Sequence, residues 1–287
     1  MSEINGLPAA DTCPSKAIPP LPTLNTLRAW LPLYLSKTDQ TLYKLSKILA
    51  SPSQTDALLL TLGYSSLLAS SLLAKISLSR IRLQALSLIE KAISLPPGKT
   101  LSISPSAIPP SLLLILSQRL KAFSTLISDF RIFARLWSFV SLYTWGKSTW
   151  THGGGDSIAR GIVAAQVLVN IAFQYLENGA YLASKGVVGW NEKKQGRAWL
   201  YSSRFWAAHV GLEFVRLGRE RVLRGKEWKE REEEGWWREL VVNAAYAPLT
   251  LHWSLDKGLV SEFWVGVFGS VAGIAKMREI WRQSGEN

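Results

Sequence analysis

A chain of 287 residues and 31.9 kDa that is 47% hydrophobic and 19% charged excludes global disorder, and its single cysteine, Cys13, excludes a disulfide scaffold. The formal charge is +12, with thirteen tryptophans and a mean hydropathy of +0.09. Two classes need that combination, nucleic-acid binders and proteins seated in or on anionic membranes. Residues 1–150 carry 15 Lys/Arg against 6 Asp/Glu, and residues 151–287 carry 18 against 15, so the positive charge belongs mainly to the first half.

Residues 1–23 hold Pro8, Pro14, Pro19, Pro20 and Pro22 among small polar residues, which predicts a disordered proline-rich tail. No basic start followed by an apolar stretch appears, so no signal peptide is expected. Residues 24–95 form an N-terminal helical region. Asp39 is the expected N-cap for Leu42, Leu45, Ile48 and Leu49, Ser51-Pro52 breaks that helix, and a second runs from about Ser53 to Ile93. Residues 96–110 are a Ser/Pro linker.

Residues 111–150 are expected to form one basic amphipathic helix, about 55–60 Å long. Lys121, Ser124, Ser128, Arg131, Arg135 and Ser138 share one face, and Leu120, Phe123, Ile127, Phe130, Ala134 and Trp137 fall on the other side. Residues 151–287 form a C-terminal helical, membrane-anchoring region. There Gly153-Gly154-Gly155 is a joint, Asp156 caps a helix to about Val188, and a further helix spans about Arg197–Leu223. A charged stretch from Arg224 to Glu239 leads to an apolar helix over Leu240–Leu255, and the last helix covers Ser261–Arg282. The fold class expected is all-α, a membrane-associated bundle of long amphipathic and hydrophobic helices.

A membrane-spanning helix needs about 20 mostly apolar residues. The charge-free runs Ala57–Ala74, Gly161–Leu176, Leu240–Leu255 and Phe263–Ala275 all sit at or below that length, and the first contains Thr61, Ser65, Ser66, Ser70 and Ser71. Tryptophan and tyrosine cluster near the ends of such runs, as at Trp145, Trp150, Trp190, Trp253 and Trp264, where a headgroup layer satisfies both ring and polar handle. Gly266, Gly269 and Gly273 make a small-residue face on the last helix, the kind that packs helices closely in lipid, and are expected to mediate self-association.

Chemistry-bearing motifs are thin. Pro97-Gly98-Lys99-Thr100 ends like a phosphate loop, but Ile93 stands where that loop needs its first glycine. His152-Gly153-Gly154-Gly155 has no Gly-x-Ser-x-Gly elbow to serve, and Glu230–Glu234 reads as a solvated surface rather than a metal site. No catalytic residue, cofactor or metal is expected, nor a nucleic-acid partner, and the chain is read as a non-enzyme. The basic helix differs: Arg119, Lys121, Arg131 and Arg135 are expected to attract anionic headgroups while Phe123, Phe130 and Trp137 enter the acyl boundary.

Three segments in order resemble the peroxin-11 family, the peroxisomal membrane proteins of proliferation and division, in its fungal form. They are Leu35-Ser36-Lys37-Thr38-Asp39 with Thr41-Leu42-Tyr43-Lys44-Leu45; Ile127 to Trp137 with Tyr143-Thr144-Trp145; and Tyr175-Leu176-Glu177-Asn178-Gly179-Ala180-Tyr181 followed by Trp199 and Arg204-Phe205-Trp206. The resemblance runs from about Leu24 to Trp281, and the family's curvature-active helix corresponds either to 70–91 or to 118–140. It implies an integral peroxisomal membrane protein with cytosolic termini that elongates the membrane before fission. It also implies self-association into a homo-oligomer, recruitment of a dynamin-like GTPase and its fission adaptor, and delivery by the peroxisomal membrane-protein import receptor. The alternative reading is a peroxisomal pore or transporter for small solutes, with Glu177, Asn178 and His252 facing a lumen; a soluble all-α scaffold is the third.

Overall fold

The computed structural model describes residues 24–96, 98, 99, 112–151, 156–225 and 229–286. The expected tail, most of the linker, the His152–Gly155 joint and Trp228 lie outside the described residues. The described chain is all helical, with no strand: α1 (Leu24–Ala50), α2 (Pro52–Ile93), α3 (Leu112–Ala134), a 3₁₀ turn (Arg135–Trp137), α4 (Ser138–Thr151), α5 (Ser157–Ser184), α6 (Glu192–Arg224), α7 (Glu230–Trp253) and α8 (Glu262–Glu286).

Two compact units divide the chain, residues 1–46 and 47–287. In the first, α1 runs straight through Asp39, which is therefore not an N-cap. In the second, α2 takes Pro52 into its first turn, where proline's missing N–H costs no hydrogen bond. With no proline after its first residue, α2 then continues for 42 residues, about 63 Å.

The expected single helix over 111–150 is interrupted, and the cause sits on α5. Gln174 Nε2 donates to the Arg135 carbonyl at 2.9 Å, and Asn178 Nδ2 donates to the Leu136 carbonyl at 3.5 Å. Ser138 N–H turns back to the Arg135 carbonyl, tightening the backbone into a 3₁₀ turn. Side chains that enter the helical ladder in this way are a known source of kinks. A second departure is α7, which starts at Glu230 inside the stretch read as a charged connector. Glu230, Glu232 and Glu233 occupy its first turn, where the helix dipole favours negative charge. Arg221 and Arg224 at the end of α6 pair with Glu233 and Glu232.

Residues 47–287 close into a ring of helices. Going round, α3 packs on α2, α2 on α8, α8 on α7, α7 on α6 and α6 on α5, with α4 and the 3₁₀ turn joining α5 back towards α3. α2 and α8, far apart in the chain, share one of the most extensive contacts. Trp190, in the connection between α5 and α6, lays its ring against Gly179 of α5, where an added Cβ would have no room.

The α2–α8 contact is built on the glycine face. A Cβ on Gly266 would meet the Leu68 backbone nitrogen at 2.8 Å, one on Gly269 the Tyr64 ring, and one on Gly273 the Thr61 Oγ1 at 2.8 Å. Gly266, Gly269 and Gly273, expected to serve self-association, are instead covered by α2 of the same chain. Only glycine lets the two backbones approach this closely. On the other side of α2, Ser70 Oγ donates to the Ser117 carbonyl and Ser117 Oγ to the Ser70 carbonyl, both at 2.8 Å and both buried. That reciprocal pair satisfies two hydroxyls in an apolar seam with α3.

Candidate functional site

Inside the ring lies a cavity of about 1030 Å³, to which all six ring helices contribute side chains. Charged and aromatic side chains dominate its lining. Arg131 Nε and Nη2 donate to the two Asp56 carboxylate oxygens at 2.7 and 3.1 Å. Arg135 makes the same two-pronged contact with Glu177, at 2.9 and 2.8 Å. Arg216 donates to Glu213 and Glu239, and Arg238 pairs with Glu279 at 3.2 Å. A guanidinium fork matched to a carboxylate is the strong form of ion pair, and in a partly dry cavity each partner needs the other.

His209 sits in the same wall. Its Nδ1 is 2.9 Å from Asn170 Nδ2, and its ring meets the edge of Trp145. Burial holds the imidazole below its ordinary pKa; Glu213 pulls it up, and Arg216 and Lys276 push it down further. Opposite, Lys276 Nζ reaches the Tyr246 hydroxyl at 3.4 Å and lies 5.1 Å from that ring's centre. Tyr246 packs edge-on against Trp206 at 5.5 Å, and Trp206 stacks on Trp253 at 5.6 Å. A cation, a phenol and two indoles therefore form one continuous row.

The residues expected to bind headgroups are scattered by this arrangement. Arg131, with 13% of its side chain exposed, and Arg135, with 30%, turn inward to the cavity instead of outward to lipid. The reason is electrostatic: Asp56 and Glu177 lie on the helices flanking α3 and the turn. Lys121 is exposed but bridges to Glu262 at 2.6 Å. Arg119 is exposed, as are Phe123, Phe130 and Trp137; Trp137 packs edge-on against Phe133. Asn178 and His252, expected in a lumen, are tied into the fold. Asn178 accepts from Gln174 Nε2, and His252 Nδ1 accepts from the Leu259 and Val260 N–H groups.

Sequence reading missed Lys276, Tyr246 and the α6 charges. A signal for the last was present: His209, Glu213, Arg216 and Glu220 recur at steps of four, three and four, one stripe along a helix. Two of the three segments that carry the family resemblance meet in space, where Arg135 and Leu136 touch Glu177 and Asn178.

No family model matches the chain, and no solved structure matches it. An uncharacterized protein of Schizosaccharomyces pombe (strain 972) is 30% identical over 113 residues, which is 39% of this chain. The chain spans 55% of that relative's own length.

Proposed function

We propose that the chain is a peroxisomal membrane protein of the peroxin-11 kind that bends and elongates the membrane ahead of fission. The observation that carries the reading is the second half of α2. Beyond the buried Ser77, α2 leaves its neighbours, and Leu78 (59% exposed), Ile81, Leu86, Ile89 and Ile93 (79%) are open. They fall on one side of the helix with Arg82 among them; Arg80, Gln84, Ser87 and Lys91 fall on the other, and the exposed Leu83 lies between the two sides. Water makes that apolar surface costly, and an acyl boundary relieves the cost while the cations meet headgroups. A wedge in one leaflet expands it and favours curvature. The lipid-active segment in this reading is 78–93, overlapping the 70–91 alternative, rather than 118–140.

Anchoring falls to α2 and α5, the two described helices long and apolar enough to cross a membrane. Their apolar windows are only 22% and 17% buried, whereas the core helix of a soluble bundle is mostly buried. The meeting of Arg135 with Glu177 adds support, since it joins two of the segments resembling the family. Self-association, a dynamin-like GTPase with its adaptor and the import receptor are the partners this reading carries.

The test uses the full chain on anionic liposomes, scored for tubules by electron microscopy, and a tagged chain scored for co-localisation with a peroxisomal matrix marker. Tubulation is expected, with loss in a Leu86→Glu/Ile89→Glu variant and strong reduction in Arg80→Glu/Arg82→Glu. Unchanged tubulation in both variants overturns the wedge, and release by alkaline carbonate overturns the anchor. The polar cavity favours a second reading, passage of small solutes. Flux across protein-loaded liposomes without tubulation would select it.

A further inference from the structure

The cavity holds one cation, partnered unlike the others, that the membrane reading does not use. Of its lining cations, Arg131, Arg135, Arg216 and Arg238 are each matched to a carboxylate. Lys276 lines the same space and, among the described residues, has no carboxylate within ion-pair distance; its partner is the Tyr246 hydroxyl. An ammonium in a partly desolvated cavity is stabilised by an anion; Glu239 and Asp256 share the lining and Asp56 acts on Lys276 at longer range, but none of them makes an ion pair with it. The row from Lys276 through Tyr246 to the Trp206–Trp253 stack then sets the shape of what would complete it. One end is a point charge with a phenol beside it; the rest is an aromatic wall.

We propose that the cavity is a binding site for an organic carboxylate with an apolar body. Its carboxylate takes hydrogen bonds from Lys276 Nζ and the Tyr246 hydroxyl, and its body lies along Trp206 and Trp253. One anionic charge matches the one lining cation that, among the described residues, has no ion pair. A phosphate calls for several free cations, and the arginines that could provide them are already committed in two-pronged pairs. A volume of about 1030 Å³ accommodates a small amphiphile with water beside it. The proposal stands on the cavity alone and holds whether or not the chain bends membranes.

Calorimetric titration of the full-length protein in lipid nanodiscs, with empty nanodiscs as baseline, tests it using octanoate, octanamide and octyl phosphate. Octanoate is expected to bind saturably and more tightly than the other two. Lys276→Met should weaken octanoate about tenfold and leave octanamide unchanged, the factor expected when one charge-assisted hydrogen bond is lost. Lys276→Arg should restore most of the affinity, which separates charge recognition from a folding defect. Trp206→Ala should weaken octanoate and octanamide alike. No saturable octanoate binding, equal binding of octanamide, tighter binding of octyl phosphate, or an unaltered Lys276→Met variant each overturns the carboxylate site. Unaltered binding in Trp206→Ala overturns the aromatic wall.

Discussion

The two flanks of the helix ring are held by opposite means. On one, α2 and α8 meet through Gly266, Gly269 and Gly273, with backbone almost touching backbone. On the other, the α3 turn and α5 meet through Arg135–Glu177 and the amides of Gln174 and Asn178. The first seam derives its strength from dispersion and leaves no room to adjust. The second depends on matching charge and donors along a partly open cavity, where long side chains can re-aim and solvent can reach an exposed partner. Steric damage to the glycine seam should therefore cost more than the loss of one ion pair from the polar seam.

The largest effect is expected at Gly266→Ala. The new Cβ would stand 2.8 and 2.9 Å from the Leu68 backbone N and Cα, so a helix rather than a side chain has to move. A destabilisation of about 3 kcal/mol, the upper part of the overpacking range, should appear in thermal unfolding followed by circular dichroism. Gly211→Ala supplies the contrast. That glycine lies inside α6 with nothing within 4 Å of its added Cβ. The change should stabilise by about 0.5–1 kcal/mol through helix propensity alone. Equal effects at the two glycines would break the account of the glycine seam.

The polar seam should give a smaller loss. Glu177→Ala leaves Arg135 without its carboxylate, but Arg135 is 30% exposed and faces the cavity, so water offsets part of the loss. About 2 kcal/mol is expected, below the 3–5 of a fully buried pair. Removing both partners, Arg135→Met with Glu177→Leu, should recover most of it, because no orphaned charge remains. A double variant no more stable than Glu177→Ala would mean that the pair contributes through packing rather than charge.

The same contrast explains what was legible in the sequence. The helices were, because apolar periodicity, the Pro52 start and the Asp156 cap are local; the Asn191 cap was not read, and it starts α6 at Glu192, ahead of the expected Arg197. The glycine stripe was legible as a close helix contact, but not its occupant. A smooth face fits any helix, and only the fold places Thr61, Tyr64 and Leu68 on it. The break at Arg135–Trp137 was invisible because its cause lies on another helix. The inward turn of Arg131 was hidden because an arginine beside phenylalanines reads equally as facing lipid or facing a buried carboxylate. The start of α7 was missed because charge was taken for loop, although acids in a first turn favour a helix.

His209 joins the two flanks and sets the smallest effect. It bonds Asn170 of α5, meets Trp145 of α4, and is surrounded by Glu213 and Arg216 of α6 and Lys276 of α8. Burial, the largest cause, lowers its pKa from the ordinary value of about 6.5. The neutral imidazole is therefore the form the fold accepts. Above pH of about 6.5 both folded and unfolded chains carry it neutral, and its contribution is complete. As pH falls below that value the unfolded chain takes up a proton that the folded chain refuses, and stability drains until the folded pKa is passed. Unfolding midpoints measured from pH 8 down to pH 5 should fall on this account, and His209→Gln, which keeps an amide in reach of Asn170, should flatten that part of the slope. Glu177→Ala should leave the slope as it is, because Glu177 is not among the charges that shift His209. An identical acid slope in wild type and His209→Gln would place the pH response elsewhere in the ring.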